Sequence, residues 1–235
     1  MNILVNGSSF SRGPGSWPYL VQDAYGAELV NLSLAAAGNT YIQETTIAEL
    51  GQRNYDLVIV MWSPFDRVDF KVKNVKPFSN TIYNSVHQAK MNDWKEKVIF
   101  PTNDQDYVEK DWIFGCGYLN NDPDVNLRAA FDGYYSNTSR GQQFYSNLIK
   151  VIALQGFLKS INQPYLFTFA RQFRQFLRFD HLYNLLDRDR IYEVDLQAIC
   201  KENNWVESDG VHPDQNAHKY YAKNIIEYIQ QHNII

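Results

Sequence analysis

From Asp56 to Trp62 the chain reads Asp-Leu-Val-Ile-Val-Met-Trp, one acid followed by six apolar residues with no polar alternation. A strand with water on one face alternates apolar and polar side chains. An unbroken run therefore predicts a strand covered on both faces, as in a parallel sheet flanked by helices. Ile3 to Val5 is a shorter run of the same kind, stopping at Asn6-Gly7 and leading through Ser8-Ser9-Phe10-Ser11 and Arg12-Gly13-Pro14-Gly15. Ser16 then stands as N-cap of a helix whose apolar face is Trp17, Leu20, Val21 and Ala24, and Gly26 closes it. Glu28 to Leu32 gives the second strand, and Ala35-Ala36-Ala37-Gly38-Asn39 turns into a helix through about Leu50.

After the third strand the alternation stops from Pro64 to Tyr135. This stretch carries scattered aromatics, among them Phe70, Phe78, Trp94, Phe100, Trp112 and Phe131. A structureless loop of that length does not suit a compact domain, so 64–135 is read as an insertion with short elements and a small aromatic core of its own. Helical spacing returns at Phe144, Leu148, Val151, Ile152 and Leu158, predicting a helix over Ser139–Ser160 that ends before Pro164. Strands follow at Tyr165–Phe169 and Ile191–Val194, separated by a stretch rich in Arg and Phe. A last helix spans Asp214–His232 with Ala217, Tyr221, Ile225 and Ile229 on one face. Short connections between alternating strands and helices predict one α/β domain over residues 1–235. Its sheet is doubly wound, flavodoxin-like and mostly parallel, with five strands, helices on both faces and the insertion after the third strand.

Composition narrows the function. Apolar residues at 45% and charged residues at 20% supply a packed core rather than a disordered chain. A net charge of −4, from 22 basic and 26 acidic residues, gives no general attraction to nucleic acid or anionic lipid, and neither is expected as a partner. Met1 to Gly7 has no basic start and too short an apolar run for a signal peptide or membrane span, so a cytoplasmic or otherwise soluble protein is expected. Cys116 and Cys200 form no metal-spaced pair, and no His, Cys or carboxylate cluster has the spacing of a metal site. No metal and no cofactor are expected.

The chemistry is sought at Ser208-Asp209-Gly210-Val211-His212-Pro213. Pro213 pushes His212 toward extended backbone and out of the helix that follows, so the imidazole projects from a loop. Asp209, three positions upstream, is spaced to accept the Nδ1 proton and leave Nε2 free as a base. The structural alternative is that Asp209 caps a turn and His212 is merely exposed. In an open parallel sheet, reactive groups gather beyond the carboxyl ends of the strands. Gly7-Ser8-Ser9, Gly38-Asn39 and Trp62-Ser63 stand at those ends. A serine in a tight glycine-preceded turn can meet a base there while backbone N–H groups face a developing oxyanion.

These residues resemble the SGNH, or GDSL-like, superfamily of serine esterases and lipases. Gly7-Ser8-Ser9-Phe10 is similar to its first block, Gly-Asp-Ser-Leu, which makes Ser9 the position of the nucleophile. Asn31 to Thr40 resembles the second block, whose glycine maps to Gly38 and offers a backbone N–H to the oxyanion hole. Asp209-Gly210-Val211-His212-Pro213 matches the fifth block, with His212 as base and Asp209 as its orienting acid. Two positions depart from the pattern. Ser8 stands where the family has aspartate, and the third block, normally Gly-x-Asn-Asp, is Trp62-Ser63-Pro64-Phe65-Asp66-Arg67.

The missing asparagine is an oxyanion donor in the family. Losing one such donor costs about 3–4 kcal/mol of transition-state stabilisation. Ser63, Asn39 and Arg67 are the candidates to replace it, Arg67 also as a substrate-binding residue. Each has an ordinary alternative: Ser63 caps a turn, Asn39 caps the second helix, and Arg67 pairs with Asp66 or Asp69. The resemblance implies hydrolysis of a small acyl or carbohydrate O-acetyl ester through a Ser-His-Asp triad, and the aromatic insertion would suit a sugar surface. An acyltransferase on the same site and an inactive binding or structural protein are the rival readings. A flavodoxin-like binder is a further one, for which Gly13-Pro14-Gly15 would be a poor phosphate loop.

Overall fold

The computed structural model of the chain describes residues 1–72, 111–115, 132–171 and 179–235. Most of the insertion, with the expected aromatic core, lies outside those residues. The apolar runs form a parallel sheet of four strands: β1 (Asn2–Asn6), β2 (Glu28–Asn31), β3 (Leu57–Trp62) and β6 (Tyr165–Phe169), in the order β2-β1-β3-β6. β1 lies between β2 and β3, with Leu4 opposite Val30 on one side and Val58 on the other. β3 in turn pairs β6, with Val60 opposite Phe167.

All six residues of β3 are fully buried, the outcome its unbroken apolar run dictates. Leu57, Ile59 and Met61 enter the core shared with Ile3, Val5, Trp17, Ala217, Tyr221 and Ile225. Val58, Val60 and Trp62 enter the opposite core with Leu4, Tyr41, Leu148, Val151 and Phe167. Each fully buried Val, Leu or Ile contributes roughly 1.5–3 kcal/mol relative to exposure, so the two-sided strand anchors both layers. One layer holds α1 (Trp17–Tyr25), α5 (Leu196–Asn203) and α6 (Gln215–Gln231); the other holds α2 (Asn39–Leu50) and α3 (Arg140–Ser160). A single turn, α4 (Asp180–Tyr183), packs beside α3.

The helix ends follow their chemistry. Ser139 accepts from Gln142 N at 3.1 Å, and Asp214 accepts from Asn216 N and Ala217 N at 2.8 and 2.9 Å. Gly26 closes α1 in the left-handed region at φ 56°, where a Cβ would strain. Ser16 occupies the N-cap of α1 but donates its hydroxyl to Gly13 O at 2.8 Å. Among the described residues no helix is long and apolar enough to cross a membrane.

The fifth strand, expected at Ile191–Val194, is reduced to one parallel bridge between Phe167 and Ile191, with Tyr192 N donating to Phe167 O at 2.9 Å. A 3-10 turn at Arg188–Arg190 precedes it, and α5 is N-capped at Asp195, leaving room for little more than one ladder contact. The described residues of the insertion include an antiparallel ribbon, β4 (Val68–Val72) with β5 (Asp111–Gly115).

Candidate active site

β1 ends at the centre of the sheet, and its last residue sets up a tight turn. Gly7 is needed by close approach: a Cβ there would lie 2.7 Å from Ser11 Oγ and 3.1 Å from Met61 O. The backbone then makes one 3-10 turn over Ser9–Ser11, with Ser11 N donating to Ser8 O at 3.0 Å. Ser8 and Phe10 are buried, while Ser9 stays half-buried.

The segment before α6 closes on itself. Val206 bridges Pro213, Glu207 N donates to His212 O at 2.8 Å, and Gly210 takes φ 69° to make the turn. Within this loop Asp209 Oδ1 accepts from Val211 N and His212 N at 2.8 and 2.9 Å. Its Oδ2 lies 2.5 Å from His212 Nδ1, and His212 Nε2 lies 3.1 Å from Ser9 Oγ. A carboxylate at Nδ1 keeps the proton on that nitrogen, which makes Nε2 the acceptor for the serine hydroxyl. The imidazole and the two backbone N–H groups hold the Asp209 carboxyl down at about 2. Phe10 packs edge-on against the imidazole, with centroids 5.6 Å apart.

The starts of α1 and α6 are tied to each other. Gln215 Nε2 donates to Gly15 O at 3.1 Å, and Trp17 N donates to His218 Nδ1 at 3.4 Å. Burial lowers His218 to about 4, so it stays a neutral acceptor. Ser9, His212 and Asp209 thus stand together although the serine and histidine are 203 positions apart.

The second-strand loop lies alongside. Leu34 N donates to Gly7 O at 3.2 Å, and Asn31 Nδ2 donates to Ser11 O at 2.8 Å. Gly38 is the N-cap of α2 and has no side chain to cap with. Asp69 of β4 supplies the missing acceptor, taking Tyr41 N at 2.6 Å. Its carboxylate lies so close that a Cβ on Gly38 would clash with Oδ1. Burial pushes the Asp69 carboxyl up to about 6, against the backbone N–H groups and Lys150, which favour its ionised form.

The side chains expected to replace the missing asparagine are committed to the frame. Asn39 Oδ1 accepts from Ser63 N at 2.8 Å, and its Nδ2 donates to Ser63 O at 3.1 Å and to Asn147 Oδ1 at 2.9 Å. Asn39 therefore neither caps α2, where Asp69 does so, nor has an amide proton to spare. Ser63 Oγ donates to Ala37 O at 2.6 Å and accepts from Arg67 Nη1 at 3.4 Å. Arg67 Nη1 also reaches Ala37 O at 3.3 Å, while Asp66, one of its expected partners, pairs with Arg171 at 3.1 Å. Sequence reasoning missed Asn6, Asp69 and Asn147. The first and last were visible only as polar residues at positions where the apolar pattern demands burial.

No family model matches the sequence, and no curated protein matches it. Among solved structures the chain is similar to the psychrotrophic esterase EstA from Pseudoalteromonas sp., in a form inhibited by monoethylphosphonate, at 13% identity and a TM-score of 0.53 over 98% of this chain and 97% of that one. It is similar to TesA at 12% identity and a TM-score of 0.57, covering 99% of each. The acetyl xylan esterase AlAXEase matches at 11% identity and a TM-score of 0.50, over 97% of this chain and 100% of that one. At these identities the likeness is one of fold. A parallel sheet ordered β2-β1-β3-β6 between two helical layers, alike over nearly the whole chain to these proteins, gives this chain the fold of the SGNH hydrolases.

Proposed function

We propose that this chain is a serine-dependent ester hydrolase. The observation that carries the reading is the continuous relay from Asp209 through His212 to Ser9, at 2.5 and 3.1 Å. Ser9 Oγ attacks the acyl carbonyl while His212 Nε2 takes its proton, and Asp209 stabilises the imidazolium. The imidazolium then protonates the leaving alcohol, and a water activated by the same nitrogen releases the acid. The N–H groups of Ser9 and Gly38 hold the oxyanion. Asn39 and Ser63 serve the hole as its frame, and Arg67, beside Ala37 and Ser63, lies at its rim as a contact for substrate. A small acyl ester, first an acetyl group on carbohydrate, is the substrate to try, since one structural neighbour is an acetyl xylan esterase.

The engaged amide of Asn39 favours one rival, an inactive binding protein, because a hole built from two backbone donors is weaker by the loss of one. Intact-protein mass spectrometry after exposure to an ethylphosphonate probe separates the two. The hydrolase gains one phosphonyl adduct, lost in Ser9→Ala and much reduced in His212→Ala. An unmodified wild-type protein would sink the proposal. Product analysis with a sugar acceptor present tells hydrolysis from acyl transfer.

A further inference from the structure

Asn6 is the last residue of β1 and is fully buried, at a position where the strand pattern calls for an apolar side chain. Its Oδ1 accepts from Gly7 N at 2.8 Å. Its Nδ2 lies 2.8 Å from Thr45 Oγ1, 3.0 Å from Thr46 Oγ1 and 3.0 Å from Ile42 O. The orientation of the amide is fixed by these partners, because a backbone N–H needs the oxygen and a carbonyl needs the nitrogen. Both threonine hydroxyls donate to the α2 backbone one turn earlier, Thr45 to Tyr41 O and Thr46 to Ile42 O, each at 2.7 Å. Their lone pairs are therefore left for Asn6. A single side chain grips the backbone of the Gly7–Ser9 turn with one end and the first turns of α2 with the other.

That placement has a consequence for catalysis. An oxyanion hole made of Ser9 N–H and Gly38 N–H draws its two donors from segments distant in sequence: the turn after β1 and the N-cap of α2. Both must point at one oxygen, and an error of about 1 Å in such placement costs about a hundredfold in rate. We infer that Asn6 is a positioning residue that sets the distance between the two halves of the oxyanion hole, a role that rests on the hydrolase reading above. It touches no substrate. An apolar residue would fill the space equally well but would leave Gly7 N–H without its partner and the two segments free to slide.

The test measures p-nitrophenyl acetate turnover and the rate of Ser9 phosphonylation in four proteins: wild type, Asn6→Ala, the double variant Thr45→Val/Thr46→Val and the double variant Thr45→Ser/Thr46→Ser. Circular dichroism first establishes which are folded. In folded Asn6→Ala, kcat and the phosphonylation rate both fall at least tenfold while KM stays within twofold. The valine pair, which leaves Asn6 in place but removes its hydroxyl acceptors, falls in the same direction by a smaller factor. The serine pair, which restores the hydroxyls, returns to within twofold of wild type. Should Asn6→Ala fail to fold, the valine and serine pairs decide alone. A folded Asn6→Ala with wild-type kcat, a change confined to KM, or valine and serine pairs that behave alike would overturn the role of Asn6 while leaving the hydrolase standing. A wild-type protein that neither turns over nor labels would instead remove the hydrolase, and the positioning role with it.

Discussion

Asp209 uses both carboxylate oxygens within its own loop, one on two backbone N–H groups and the other on the imidazole. Replacing it with asparagine would keep an oxygen for the backbone and turn an NH2 group toward His212 Nδ1. The ring would then adopt the tautomer with its proton on Nε2, where it cannot accept from Ser9. Asp209→Asn should therefore lower kcat on p-nitrophenyl acetate by about 10⁴-fold with KM little changed, as a wrong tautomer does in related triads. Steady-state kinetics of the variant checks this, and a drop of less than tenfold would mean that the carboxylate does not orient the base. The pH dependence follows from the same contacts. A folded carboxyl held at about 2 is depressed below its unfolded value, so its contribution to stability is complete above about pH 4 and fades as pH falls toward 2. Asp209 stays ionised through the range where an esterase works, and its titration does not shape the acid limb of the rate.

At the scale of elements, the insertion matters through one residue of β4. Asp69 caps α2 across the fold, and it is faced by Tyr41 and Glu44 of α2, Lys150 of α3 and Tyr134. Its folded carboxyl, at about 6, lies above the unfolded value near 4. The folded protein thus binds the extra proton between those two pH values, and the contribution of Asp69 to stability falls as pH rises from 4 to 6, by about 3 kcal/mol at most. Asp69→Asn, which keeps a capping oxygen and cannot ionise, should gain stability relative to wild type between pH 4 and pH 8. Urea midpoints of both proteins at the two pH values measure it, and a difference that does not move with pH would show that Asp69 is not strained by burial. Nothing near position 69 in the sequence points to such a cap, because its partners are backbone N–H groups at the start of α2. By contrast β3, α3 and α6 were legible from apolar runs and spacing alone, since their burial pattern is local. The fifth strand failed for the opposite reason. Ile191 to Val194 has strand-like residues, but the 3-10 turn before it and the Asp195 cap after it take the chain off the sheet.

Over the whole molecule, the two ends of the chain form one structural unit. β1 runs up the middle of the sheet, α6 packs on α1, and the turn after the first and the loop before the second carry Ser9 and His212. Their meeting was readable because both sit where an open parallel sheet gathers reactive groups. The inward turn of Asn39 was not, since nothing in the sequence ties it to Ser63 and Asn147. The contact that holds α6 to α1 centres on Tyr221, which is fully buried and meets Trp17 edge-on at 5.8 Å and Tyr192 at 5.6 Å. Truncating so large a core side chain costs about 3–5 kcal/mol, because the layer cannot collapse into the space. Tyr221→Ala should therefore lower the urea midpoint of unfolding with the slope unchanged. The phosphonylation of Ser9 should vanish at the same urea concentration as the far-UV signal, in this variant as in wild type. The first third of the chain holds no histidine, so on the hydrolase reading Ser9 is reactive only while α1 and α6 remain docked. Labelling that outlasts the loss of helix would mean that Ser9 reacts without His212, and the relay between the two ends would lose its meaning.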